Sequence, residues 1–359
     1  MLHVSVRFHS CCLLVFVALL MVSCAGLPTQ PEPQPSPPPP PPLAQPKPQP
    51  RIHPPITTST RIFPDFAAII AQPGDTFSSL ASQYLNDPSL DWFIAEFNEI
   101  TSLNTGQELI IPLHLNDKRR LSMKGYQTVP VISYHKFSRE RADLLTVKAS
   151  AFEEQMRFLK ENGYRVITMD LFFEFLNSRR PIPGKSVVIT IDDNYYSTYE
   201  IAFPILKKYG YPATLFIYTD LITSGGKSMN WDILSEMSKH GVDIQSHTKS
   251  HRNLVKRTDE ESFRGYFETI KKELAESAAL IKKRLDKEVK YLAYPFGDTN
   301  PLVIALLTKL GYQGAFTVER GSNPFFVHPY RINRSMIYGN FNLQDFQNSL
   351  TFTRDKDLR

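Results

Sequence analysis

Cysteine is scarce: the 359-residue chain has three, Cys11, Cys12 and Cys24, all within its first 24 positions. Beyond them no thiol remains to form a disulfide. Blocks of like charge are also missing. The formal net charge of +5 is spread along the chain with no basic arm of the kind that grips nucleic acid. Neither nucleic acid nor a nucleotide is therefore expected as a partner. No apolar run is long enough to span a bilayer comfortably; the one at residues 11–22 is the length of a signal-peptide core.

What stands at the start is an ordered set of leader features. Arg7 precedes the apolar run, and Met21-Val22-Ser23-Cys24 follows it. These four residues resemble a bacterial lipobox, with Met21 where leucine is more usual. The resemblance implies a lipoprotein signal peptide over residues 1–23, acylation of Cys24, and a membrane anchor in the cell envelope facing the periplasm or exterior. An ordinary secretory signal with an incidental cysteine is the alternative. Residues 24–61 form a proline-rich linker holding about half of the 28 prolines, including the run 37–42. Such a segment makes neither helix nor ladder and extends as polyproline II, reaching on the order of 80 Å. It reads as a stalk.

Residues 62–115 carry a different pattern. A strand-like run at 67–71 meets the turn Gln72-Pro73-Gly74-Asp75, and Thr76 is placed to cap a helix bearing Phe77, Leu80, Ala81 and Tyr84. A second helical pattern around Trp92 and Phe93 leads to Asn98, and Gly106-Gln107 opens a returning strand ending at Pro112. This βααβ order resembles the lysin motif (LysM). The resemblance implies binding of N-acetylglucosamine (GlcNAc)-containing glycans between the turn Gly74, Asp75, Thr76 and Phe77 and the loop at Ile100. The alternative is an unrelated small domain sharing one turn.

From residue 127 to 359, strand-like and helix-like segments alternate. Strands are predicted over 129–134, 165–169, 187–191, 213–218, 242–246, 291–294 and 314–318. Helices are predicted over 152–161, 171–176, 198–209, 230–239, 260–285 and 302–310. About seven βα units imply an α/β fold whose parallel sheet is closed as a barrel or doubly wound. Two polar clusters end strands of this sheet: Thr190-Ile191-Asp192-Asp193 and His247-Thr248-Lys249-Ser250-His251. Such strand ends are where α/β folds place chemistry. One carboxylate and two imidazoles can hold a divalent ion while the second carboxylate stays free as a base. Adjacent residues on an ideal strand point to opposite faces, so both aspartates share a site only if the backbone turns there. The same ligand set also suits iron oxygenases.

These motifs, with Tyr294-Pro295-Phe296-Gly297, resemble the polysaccharide deacetylases of carbohydrate esterase family 4, with their NodB homology domain, over residues 129–350. Val131-Ile132-Ser133-Tyr134-His135, Trp231 and Arg334 match one subgroup. The resemblance implies a distorted (β/α) barrel and a divalent metal, zinc being favoured, on Asp193, His247 and His251. It implies Asp192 as the base and the Phe296 backbone N–H as an oxyanion donor. Three features depart from the family. Asn194 stands where glycine is usual, and Ala293 where an arginine steadies the base. The late Leu-His motif that supplies the general acid is absent, which leaves His135 or His328 for that role. Arg334 reads equally as electrostatic support for the site or as an ordinary surface ion pair. The expected function is removal of N-acetyl groups from peptidoglycan or a chitin-like glycan. Poly-β-1,6-N-acetylglucosamine or an O-acetylated sugar is also admitted. The alternative is a non-catalytic peptidoglycan-binding lipoprotein with a degenerate deacetylase domain.

Overall fold

A computed structural model describes residues 60–115, 121–122, 125–222, 226–351 and 353–354. The expected signal peptide, the acylated Cys24 and nearly all of the proline-rich linker lie outside the described residues. Among the described residues no helix is long and apolar enough to cross a membrane.

The first described elements are β1 (Thr60–Ile62), β2 (Phe66–Ile70), α1 (Phe77–Leu85), α2 (Asp91–Phe97) and β3 (Glu108–Pro112). The strands form an antiparallel sheet in the order β1-β2-β3, so the expected βααβ unit carries an added edge strand. Register pairs Ala67 with Ile111 and Ile69 with Leu109, and these alternate residues are buried. They pack on Leu80 and Ala81 of α1 and Phe93 and Ile94 of α2. Thr76 caps α1 in a reciprocal box with Ser79: each backbone N–H donates to the other's hydroxyl. Asn98 clips α2 to β3, donating to Ile94 O and Ile110 O and accepting from Ile110 N.

The larger domain begins with β4 (Leu121–Ser122), β5 (Gly125–Tyr134), β6 (Lys136–Ser138), β7 (Thr146–Lys148) and α3 (Ala149–Glu161). Next come β8 (Arg165–Val166), α4 (Met169–Leu176), β9 (Ser186–Asp192), α5 (Phe203–Tyr209), β10 (Ala213–Ile217) and α6 (Trp231–Lys239). Then follow β11 (Val242–Ser246), α7 (Phe263–Leu285), β12 (Tyr291–Ala293), α8 (Pro301–Lys309) and β13 (Gly314–Phe316). The chain closes with β14 (Ser322–Pro324), β15 (Ser335–Met336), α9 (Leu343–Gln347) and β16 (Thr353–Arg354).

Six strands run parallel in the order β13-β12-β11-β10-β9-β5. Every residue of β9 is buried, as a strand covered on both faces requires. The open edges meet across one short segment. Ile332 bridges Phe316 in parallel, and β15 pairs Ser335 with Ile132 of β5. This seam curls the sheet into a distorted barrel, and it carries Arg334. Side chains of one face and the flanking helices bury Ile189, Ile191, Leu215 and Ile244, while Val188, Phe216, Tyr291 and Phe316 fill the other side.

One predicted helix splits. Residues Thr198–Ala202 form a π turn before α5, because Pro204 has no N–H to give the carbonyl four residues back.

Candidate active site

Register aligns the chemistry at one end of the barrel. Tyr134 pairs with Ile191 and Phe216 with Asp192, while Ile217 pairs with Ser246. His135, Asp192, Asp193 and His247 therefore all lie at carboxyl ends of neighbouring strands. The backbone turns sharply at Asp193, which takes a left-handed φ of 58° and brings its carboxylate alongside that of Asp192. The turn falls on Asp193, not on Asn194, whose φ is not positive. The usual glycine is thus not demanded at Asn194, and the substitution leaves the turn intact.

Asp193 Oδ1 lies 3.7 Å from His247 Nε2 and 3.5 Å from His251 Nε2, and one ligand atom from each residue falls within 4.8 Å of the others. The His247 Nδ1 sits 2.8 Å from Ala293 O. A carbonyl only accepts, so Nδ1 carries the proton and Nε2 presents its lone pair to Asp193. Burial pushes the His247 imidazolium pKa down to about 3 and lowers that of His251 as well, so both rings are neutral at pH 7. Burial also raises the Asp193 carboxyl above its ordinary range, and Asp193 Oδ1 is a buried oxygen without any hydrogen-bond donor. Three electron-pair donors converge there with no proton between them. That arrangement fits a divalent cation, and the N,N,O set fits zinc among others.

Asp192 has the opposite environment. Burial alone would raise its carboxyl, but the Arg334 guanidinium holds it down to about 2. Arg334 Nη1 donates to Asp192 Oδ1 at 2.7 Å and its Nε to Thr317 O at 3.0 Å, with the residue only 1% exposed. Of the two readings of Arg334, this favours electrostatic support of the site and corrects the ordinary surface pair. It arrives on the barrel seam and supplies the cation that Ala293, buried on β12, does not.

Phe296 takes a left-handed φ of 63° inside the short Pro295–Gly297 turn, and its ring, 62% exposed, stands 5.0 Å from that of His251. Gly297 must be glycine: its φ is 80°, and an added Cβ would lie 2.4 Å from Val318 Cγ2 and 2.8 Å from Val318 N. His135 is half-buried at the end of β5, near enough to act on both aspartates. His328 is exposed instead, where its Nδ1 accepts from Tyr330 N, and among the described residues no contact joins it to the site. Trp231 lies partly buried beneath the Arg284 guanidinium, 5.8 Å from its ring. Sequence reasoning passed over Tyr218, whose ring lies 5.2 Å from His251 and whose phenol burial pushes up to about 12. Its position just past the end of β10 was the available signal.

In the small domain, Asp75 Oδ2 accepts from Gln72 N and the Thr76 hydroxyl caps α1. Both side chains are spent on local structure. Phe77 and Ile100 pack against one common core, and Gly74 holds a φ of 90°.

A family profile for polysaccharide deacetylases matches residues 179–315, which span Asp192, Asp193, His247, His251 and Phe296. A poly-β-1,6-N-acetyl-D-glucosamine N-deacetylase of Staphylococcus aureus (strain MRSA252) is 32% identical over 199 residues, covering 54% of this chain and 68% of that protein. A Bacillus subtilis (strain 168) protein, YxkH, with a provisional polysaccharide deacetylase name, is 30% identical over 214 residues, covering 58% and 72%. The chain belongs to the polysaccharide deacetylase family. The deacetylase fold extends beyond the profile match. The structure of the Streptococcus pyogenes deacetylase PplD with acetate superposes with a TM-score of 0.57 at 23% identity, covering 62% of this chain and 98% of that one.

Proposed function

We propose that this deacetylase is a metal-dependent enzyme that removes N-acetyl groups from a GlcNAc-containing polysaccharide of the cell envelope. The observation that carries the reading is the orphaned Asp193 Oδ1 facing two neutral imidazoles, beside an aspartate kept ionised by Arg334. Asp193, His247 and His251 would hold the ion, with zinc the favoured occupant. When bound, such an ion supplies positive charge that polarises a carbonyl and lowers the pKa of water.

The remaining steps belong to side chains. Asp192 takes a proton from the water that adds to the acetamide carbon. The only protein donor to its carboxylate among the described residues is Arg334 at Oδ1, which leaves Oδ2 for that proton. The Phe296 N–H donates to the oxyanion. His135 passes a proton to the nitrogen as the C–N bond breaks, giving acetate and a free amine. Arg334 also removes one of the two supports for a degenerate scaffold, since the missing family arginine has a substitute.

The relatives' names favour a β-1,6-linked GlcNAc polymer, while the small domain favours peptidoglycan or a chitin-like chain. In this proposal the small domain is a LysM-type module, with glycan held by the backbone of the Gly74 to Phe77 turn and by Ile100. Acylated Cys24 and the proline-rich stalk hold the enzyme at a membrane, as part of the cell envelope.

The test is acetate release by the purified full chain from poly-β-1,6-GlcNAc and from peptidoglycan, with and without chelator. Release that stops on chelation and returns with zinc is expected. Asp192→Asn should lower kcat about 10²–10⁴-fold, the span usual for a general base. Chelator-insensitive release would overturn the proposal.

A further inference from the structure

The loop carrying His247 and His251 has an irregular backbone, with φ of 73° at Thr248 and 64° at His251. Single left-handed residues of this kind are strained and persist only where their surroundings over-determine them. Here the surroundings are side chains. Thr248 N donates to Ser246 Oγ at 3.1 Å, and His251 N to Thr248 Oγ1 at 3.1 Å. Lys249 N and Ser250 N both donate to Glu273 Oε2, at 3.1 and 2.8 Å, and the Ser250 hydroxyl donates to Glu273 Oε1 at 2.7 Å.

Glu273 lies on α7, more than twenty residues downstream, and is 7% exposed. One turn further along the same helix, the fully buried Ser277 places its hydroxyl 2.8 Å from that of Ser246. Residues four apart share a helix face, so one face of α7 reaches every N–H from Thr248 to Ser250, directly or through Ser246. From the other side Asp220 N donates to Lys249 O at 2.9 Å, while Lys249 Nζ pairs with the Asp220 carboxylate.

We infer that Glu273, seconded by Ser277, is the positioning residue for the metal-binding loop. It fixes the backbone that aims His251 at Asp193, although it touches neither ligand side chain. This rests on the metal-site reading above. Carboxylates and carbonyls that orient metal ligands from behind commonly change metal affinity about 10–100-fold when removed.

The experiment measures zinc affinity of the full chain by competition with a chromophoric chelator, together with amide hydrogen exchange over residues 247–251. Glu273→Ala should weaken zinc binding about 10–100-fold and speed exchange of the loop even in the metal-free protein. Glu273→Gln keeps one acceptor oxygen and should fall between wild type and alanine; it decides the matter if the alanine variant does not fold. Ser277→Ala should give a smaller loss, and Glu276→Ala, an exposed partner of Lys272 on the same helix, none. Wild-type affinity and unchanged loop exchange in Glu273→Gln and Glu273→Ala would overturn the inference, even if their melting temperatures fell. Failure of the wild-type chain to bind zinc would instead remove the metal-site reading itself.

Discussion

Asp192 and Arg334 are each buried with a formal charge, and such a pair stands only because each partner answers the other's desolvation. Removing one side is therefore worse than losing a contact. Arg334→Ala should cost about 3–5 kcal/mol of stability, the range seen when a buried charge is left alone, and should depress acetate release. Urea melts beside kinetics would check both effects. Arg334→Lys should recover part of the stability, because the charge returns without the planar fork that also reaches Thr317 O. A second single-residue expectation concerns Asp243, whose carboxyl is raised chiefly by burial despite donation from Gln245. An acid whose folded pKa is raised contributes stability that is present below its unfolded value and lost as pH rises through the folded one. Asp243→Asn should therefore raise the melting temperature at pH 7, and that gain should disappear near pH 3, as thermal scans at the two pH values would show.

Elements differ in how plainly the sequence announces them. The strands β9, β10, β11 and β12 match their predicted spans to within a residue or so, because runs such as Val187 to Ile189 are apolar and lead into polar clusters. The cap at Thr76 marks its helix start equally well. The barrel seam was not legible. Ile332 to Met336 is short and polar, its strand character exists only through pairing with β13 and β5, and Arg334 meets Asp192 across 142 positions of chain. Glu273 was hidden for a related reason: a glutamate on a charged helix looks like solvated surface until the loop beneath it is placed. The Asp193, His247 and His251 cluster was plain in the motif spacing; the groups that position it were not. The turn Pro295–Gly297 lies between these cases, since its motif was visible but the close approach of Val318 to its glycine was not. Gly297→Ala would drive a methyl group into Val318 and force a backbone with φ of 80° on alanine. It should displace Phe296 and reduce kcat more than KM, which steady-state kinetics on a soluble acetylated oligosaccharide would resolve.

The whole molecule joins the small domain to the barrel at the end away from the chemistry. Arg180 pairs with Asp87 at 2.9 Å, Arg165 with Asp91 at 3.3 Å, and Glu96 accepts from Gly184 N at 3.1 Å. Gly184 and Arg165 precede or open the strands β9 and β8, so these contacts sit at amino ends, whereas Asp192 closes β9 at its carboxyl end. Seven strand residues separate the two, roughly 20 Å at about 3.3 Å per residue. Under the proposal that the small domain holds glycan, that glycan and one entering the barrel mouth would be different segments or different chains. Exposed ion pairs are individually weak, about 0–1 kcal/mol each, so the junction depends on several acting together and on low salt. Combining Glu96→Ala with Arg180→Ala should split the calorimetric unfolding of the full chain into two transitions. The same separation should appear in the wild type at about 1 M salt, where the Debye length is about 3 Å. Turnover of a short soluble substrate should be unchanged, because nothing at the carboxyl ends of the strands is touched. Retention of a single transition with the wild-type midpoint would show that the charged contacts do not hold the domains together.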